Sequence, residues 1–206
     1  MPKVISTLFI SADGVAEIDP AWHFPYFDDA MGRAVSEDYE TSDVMLIGRV
    51  TYDSFAGAWP DRETAGGEDA QFATHLGDAR KVVVSRQPLD FSWRNSELLD
   101  GDLVEAVTAL KADAGIRGIL VPGSISVVQQ LLAAGLVDEL RLLVHPVAAR
   151  KGRRLFDDGD APYHLRTTAT EVFPTGVIRV IYAPTPSPTP AGSDAVEEDQ
   201  SAAPSS

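Results

Sequence analysis

The chain has 206 residues, 44% of them hydrophobic, no cysteine and a net charge of −14. That size and apolar content suit one domain around one core, and the missing thiols exclude disulfides, thiolate nucleophiles and cysteine-based metal sites. The negative field disfavours nucleic acid and requires local Arg or Lys wherever a phosphate is to bind.

No apolar run approaches the ~20 residues of a membrane helix. Met1-Pro2-Lys3 leads straight into Val4-Ile5, with Asp13 close behind, which does not read as a signal peptide. A cytoplasmic protein with no membrane partner is expected.

Residues 4–10 are β-branched and apolar and predict a buried strand, ended by the turn residues Ser11-Ala12-Asp13-Gly14. Residues 22–27 are aromatic, contain Pro25, and read as a loop leading into a helix over 28–40, where Met31, Ala34 and Val35 fall near helical spacing. Residues 44–47 form a short apolar strand, ended by Gly48-Arg49, with a short helix over 50–55. Residues 60–77 are polar and Gly-rich and read as a mobile connection. Residues 81–85 are another buried strand, stopped by Gln87-Pro88. Asp102 and Glu105 have capping-box spacing, and Leu103, Val107 and Leu110 mark one helix face. A fourth strand over 118–121 runs into Pro122-Gly123-Ser124. A helical stripe of Val127, Val128, Leu131 and Leu132 follows, with Gly135 as its C′ residue. Residues 140–147 and 177–182 predict two closing strands, antiparallel partners at a sheet edge. From residue 184 the chain is rich in Pro, Ser, Thr, Ala and acids, with Val196 its only large apolar side chain. Residues 184–206 read as a disordered acidic tail behind a domain of residues 1–183.

Strands alternating with helices predict an α/β fold, a three-layer α-β-α sandwich on a mainly parallel mixed sheet. Such sheets bind ligands beyond the C-terminal ends of their strands. Three of those ends carry suggestive residues. Val121-Pro122-Gly123-Ser124-Ile125 runs from strand to helix, where N–H groups and the positive helix end favour a pyrophosphate. An ordinary turn with Ser124 as N-cap is the other reading. Gly48-Arg49-Val50-Thr51 offers a guanidinium fork and a hydroxyl, and is otherwise a surface Arg after a turn. Ser85-Arg86 suits a 2′-phosphate, or is a solvated loop. Asp13 with Gly14 either faces a substrate or forms a turn. Trp22, Phe24, Tyr26 and Phe27 either line a pocket for a flat heterocycle or belong to the core. His23, His75, His145 and His164 show no metal-ligand spacing, and His145 before Pro146 reads as structural. Residues 157–160 resemble a calcium loop only superficially, without its later Glu. No metal is expected.

The ordered pattern resembles the dihydrofolate-reductase-like superfamily, and within it the RibD C-terminal (riboflavin-biosynthesis reductase) domain family. The resemblance rests on Ser11-Ala12-Asp13-Gly14, Gly48-Arg49-Val50-Thr51, the strand Lys81–Ser85 and Val121-Pro122-Gly123-Ser124. The run Leu136-Val137-Asp138-Glu139-Leu140, with Pro146 and Gly152-Arg153-Arg154-Leu155-Phe156 after it, completes the match over about residues 3–183. The resemblance implies NADPH as hydride donor, held at Gly48, Arg49, Thr51, Ser85, Arg86, Val121, Gly123, Ser124 and Ile125. It implies a substrate site near Asp13, Gly14 and Trp22, with Asp13 as the catalytic candidate. It also implies hydride transfer to a ribosylamino-pyrimidine or similar heterocycle, and a possible homodimer built on residues 140–147 and 177–182. Pro122 stands where the family often has a first glycine, and lacks an N–H. Gly32 stands where a dihydrofolate reductase would carry its acid. A dihydrofolate or pteridine reductase, and a non-catalytic nucleotide-binding protein, are the alternatives.

Overall fold

A computed structural model describes residues 1–156, 159 and 161–186. The residues of the superficial calcium loop, apart from Gly159, and those of the tail from 187 onward lie outside the described residues.

The sheet has eight strands: β1 (Lys3–Ser11), β2 (Val44–Gly48), β3 (Arg80–Val84), β4 (Ser96–Leu98), β5 (Gly118–Gly123), β6 (Glu139–His145), β7 (His164–Val172) and β8 (Ile178–Thr185). Their order is β4-β3-β2-β5-β1-β6-β8-β7. The first six positions are parallel, β8 pairs antiparallel with β6, and β7 pairs antiparallel with β8. The central strands are apolar on both faces because both faces are covered. On one face Val4, Leu8, Leu46, Ile119 and Leu140 pack against Val107 of α6 (Leu103–Ala112) and Val128 and Leu131 of α7 (Ile125–Ala133). On the other, Ile5, Met45, Ile47, Val83 and Leu120 meet Tyr39 of α2 (Asp29–Glu40), Tyr52 of α3 (Arg49–Ala56) and Leu76 of α5 (Ala70–Asp78). The fold is therefore the expected three-layer α/β sandwich.

The expected helix starts and stops hold where a side chain or glycine enforces them. Asp28 caps α2 by accepting from the Met31 N–H, and Asp102 caps α6 by accepting from Val104 and Glu105. Gly135, at φ +65°, ends α7 in the left-handed conformation, where Cβ is a penalty.

Five readings need correction. Residues 60–77 are not a mobile connection, since they hold α4 (Trp59–Ala65) and α5. Pro60 sits in the first turn of α4, where its missing N–H costs nothing, and Gly66 and Gly67 turn the chain at positive φ. Arg94 clamps the pair through Glu63 at 2.7 Å, Asp78 at 3.0 Å and the Thr74 carbonyl at 3.2 Å. The aromatic loop contains a turn of helix, α1 (Pro20–His23), capped by Asp19, and a 3-10 turn after it. The strands β4 and β7 were not anticipated. β6 stops at His145 and lies between β1 and β8, so it offers no sheet edge. That edge is β7, largely exposed along its length. Finally, β8 runs to Thr185, two residues into the segment read as tail.

Candidate functional site

The C-terminal ends of β1, β2, β3 and β5 open on one edge, since these strands are parallel neighbours. In register Gly48 stands opposite Val84, and Ile47 opposite Gly123. The ends of β2 and β5 therefore deliver the first turns of α3 and α7 side by side. The contact is intimate, because a Cβ on Gly48 would lie 2.2 Å from Ser124 Oγ and 2.8 Å from Ser124 Cβ. Gly123, at φ +145°, is equally constrained, with a Cβ there 2.9 Å from Thr51 Oγ1. The Gly123–Ser124 peptide is cis.

Ser124 occupies the N-cap position of α7 without capping it. Its Oγ instead lies 3.3 Å from Thr51 Oγ1. Gly48, the N-cap of α3, has no side chain to offer. Two helix N-termini thus lie close together with no side-chain acceptor on their first N–H groups, two dipole ends of the same sign side by side. That arrangement accepts an anion. Arg49 sits beside it, donating to Gln87 Oε1 at 2.8 Å and pairing with Asp53 Oδ2 at 3.5 Å. The Gln87 contact ties Arg49 to the loop after β3, and Arg86 in that loop is exposed and has no ion pair among the described residues. The donor set fits the phosphates of a dinucleotide.

Other predicted residues are placed differently. The Ser85 hydroxyl is used within its own turn, donating to the Gln87 carbonyl at 2.8 Å and accepting from its N–H at 3.1 Å. The Val121 side chain is fully buried in the core and its carbonyl accepts from Ser6 Oγ at 3.1 Å. Ile125 packs against the same core. Asp13 pins loops together. Ser11 Oγ donates to its Oδ1 at 2.6 Å, and the N–H groups of Ala149 and Arg150 donate to its carboxylate at 2.9 Å each. The Ser11 hydroxyl, then those two N–H groups, hold its carboxyl below the usual carboxylate range. Asp13 is therefore ionised at neutral pH, with its oxygens occupied. Gly14 takes φ +86° in the same turn. Trp22 is buried, its ring centroid 5.1 Å from that of His145.

Sequence reasoning missed two features of this edge. One is the Arg49–Gln87 link, which no spacing rule announces. The other is a pair of histidines, His23 and His145, buried at the ends of α1 and β6 with 3.1 Å between Nδ1 and Nε2. Burial, and then its neighbour His145, lower His23 to about 4; burial also lowers His145. The visible signals were His23 within the aromatic, Pro-punctuated stretch 22–27 and His145 directly before Pro146.

The model of the RibD C-terminal domain matches residues 2–179. The chain belongs to the RibD C-terminal domain family. The chain is similar to the uncharacterized protein YyaP of Bacillus subtilis, 29% identical over 146 residues, covering 68% of this chain and 73% of that one. The RibD C-terminal fold is also seen in a putative riboflavin biosynthesis protein from Shewanella, with TM-score 0.69, 18% identity, and coverage of 89% of this chain and 99% of that one. A pyrimidine reductase-like protein from Corynebacterium diphtheriae gives TM-score 0.62 at 17% identity, covering 90% of this chain and 92% of that one. The Thermotoga maritima diaminohydroxyphosphoribosylaminopyrimidine deaminase/5-amino-6-(5-phosphoribosylamino)uracil reductase gives TM-score 0.63 at 17% identity. That match covers 89% of this RibD C-terminal chain and 57% of the longer protein. Among the described residues no helix is long and apolar enough to cross a membrane, and no cluster of potential metal ligands occurs.

Proposed function

We propose that the chain is an NADPH-dependent reductase that transfers hydride to a small nitrogen heterocycle, of the ribosylamino-pyrimidine type named in its structural neighbours. The observation that carries this reading is the convergence of two side-chain-uncapped helix N-termini, α3 and α7, beside Arg49 in a chain of net charge −14. In such a molecule a local positive site has a purpose, and paired N–H donors with a guanidinium match a pyrophosphate and a further phosphate. Gly48 and Gly123 let the two turns approach, Thr51 and Ser124 offer hydroxyls between them, and Arg49 and Arg86 supply charge. NADPH, when bound, supplies the hydride, with a proton from solvent completing the reduction. The chain's own work is to orient the ring and exclude water, which accounts for the lack of an acid–base pair in the cradle.

A pteridine reductase of the dihydrofolate type is disfavoured by α2. Gly32 stands where its acid belongs, and the fully buried Asp38 is taken up by Thr7 Oγ1 at 2.7 Å, Arg179 at 2.6 Å and Arg141. The test is an NADPH-oxidation screen with riboflavin precursors and pterins. Turnover of a ribosylamino-pyrimidine supports the reading, whereas nucleotide binding without oxidation of NADPH by any of them would favour a non-catalytic binding protein.

A further inference from the structure

His145 closes β6 and stands opposite Ser11 of β1. Its Nδ1 lies 3.0 Å from the Leu143 carbonyl oxygen, and its Nε2 lies 3.1 Å from Nδ1 of His23 at the end of α1. A carbonyl only accepts, so the hydrogen of His145 is on Nδ1. Burial keeps both rings neutral at physiological pH. His145 Nε2 therefore presents a lone pair, and His23 Nδ1–H donates to it. The remaining nitrogen of His23, Nε2, is left unprotonated, its state set through two rings by the backbone carbonyls of Leu143 and Ile10 beside His145.

Among the described residues the His23 ring makes no hydrogen bond besides the one to His145. Phe9, Phe24 and Phe27 surround it, with ring centroids at 4.3, 5.2 and 5.6 Å. Phe24 is 60% exposed and Phe27 45%, so two large apolar rings stand open at this end of the sheet. β1 is the immediate neighbour of β5, whose end forms the phosphate cradle. A single fixed acceptor among aromatic rings complements one kind of ligand: a flat heterocycle that packs on the rings and donates an N–H to Nε2. An isostere with only acceptors on that edge sets lone pair against lone pair and leaves a buried polar atom unpaired.

We propose that His23 Nε2 is a specificity-determining acceptor that selects heterocycles carrying an amino or lactam N–H, with His145 and the Leu143 carbonyl as the positioning device that holds its tautomer. This rests on the reductase reading for the place of the ligand, and its test separates the two.

The full chain, labelled with 15N-histidine, is recorded at pH 7 in long-range 1H–15N correlation spectra, with assignments from His23→Asn and His145→Gln. Both His23 and His145 are expected as neutral Nδ1–H forms; His23 as an Nε2–H form or a cation overturns the proposal. The NADP+-saturated chain is then titrated with 2,4-diaminopyrimidine and 2,4-dimethoxypyrimidine. Wild type is expected to prefer the diamino probe by ~10-fold or more. His23→Asn keeps a donor toward His145 but lacks the Nε2 position, and is expected to lose the preference. His23→Gln puts an amide oxygen near that position and is expected to regain it. An unchanged preference in a folded His23→Asn variant, or uptake of nucleotide with neither probe binding, overturns the proposal. Failure of the nucleotide itself to bind brings down the reductase reading, and this role with it.

Discussion

Gly48→Ala isolates the contact on which the phosphate cradle depends. Gly48 has φ −75° and ψ 159°, an ordinary extended conformation that alanine adopts freely. At such a site the exchange stabilises by roughly 0.4–1 kcal/mol through the unfolded chain. Here the new Cβ would stand 2.2 Å from Ser124 Oγ, 2.8 Å from Ser124 Cβ and 3.2 Å from Ser124 N. The hydroxyl can rotate away, giving up its 3.3 Å contact with Thr51. The Cβ and the backbone nitrogen cannot, so the first turn of α7 must move off α3. Overpacking of this kind costs about 1–3 kcal/mol, and it parts the two N-termini that are to share one pyrophosphate. We expect urea unfolding to show a net loss of about 1 kcal/mol and NADPH titration to show at least ~10-fold weaker binding. Ser124→Gly removes the two nearest obstructing atoms, Oγ and Cβ, and leaves only the backbone nitrogen at 3.2 Å, so the double variant should recover most of the stability, with a coupling energy of at least ~1 kcal/mol. A neutral or stabilising Gly48→Ala, or two strictly additive substitutions, would refute the convergence of the two turns.

Arg49→Ala should weaken NADPH more than NADH, by about 1–3 kcal/mol for a lost charge-assisted bond, read by parallel titrations; equal losses would remove Arg49 from the 2′-phosphate. Lys81 is fully buried, donates to the carbonyls of Leu76, Gly77 and Ala79 at 2.8, 2.9 and 2.7 Å, and lies 4.3 Å over the Trp93 ring. Lys81→Met removes the side-chain donor to the Leu76 and Ala79 carbonyls and one of the two on Gly77 and should cost about 2–4 kcal/mol in urea unfolding; a loss under ~0.5 kcal/mol would contradict that role. His23 falls from 6.5 to about 4 on folding, chiefly through burial, so the unfolded chain binds the proton first. Its contribution is intact above pH 6.5 and is lost as pH falls toward 4, by roughly 3 kcal/mol at 1.36 kcal/mol per unit. His23→Phe should flatten that part of the stability–pH curve, and an unchanged curve would place the titration elsewhere. A homodimer, which the family resemblance suggests, would have the exposed edge strand β7 to use, with Val172 69% exposed. Light scattering is expected to give twice 22.1 kDa and Val172→Lys to weaken the pair; a monomer at every concentration would exclude it.

Much of the fold was legible because its strands are covered on both faces and therefore read as continuous apolar runs, and because Asp28, Asp102 and Gly135 mark helix ends with local chemistry. The helices within 60–77 were hidden for the opposite reason. Their cohesion comes from Arg94, more than ten residues downstream, and from the Arg62 guanidinium 4.8 Å over the Trp59 ring, contacts that leave no periodicity. β7 escaped notice because an exposed edge strand of Thr, Arg and Glu carries no apolar alternation. At the site, Gly48, Thr51, Gly123 and Ser124 were legible from turn chemistry, and the fold brings them together. The use of Ser124 was not, since a serine before a helix reads as a cap, and only the proximity of Thr51 turns it away. Asp13 read equally well as a substrate contact, because the N–H groups of Ala149 and Arg150 that engage it come from the far side of the chain.

The most direct test of the cradle is calorimetric titration of the full chain with NADPH and NADH at low salt. One nucleotide per chain, bound more tightly as NADPH and more weakly as salt rises, is the predicted result. No heat and no displacement with either nucleotide, from protein shown to be folded, would contradict it.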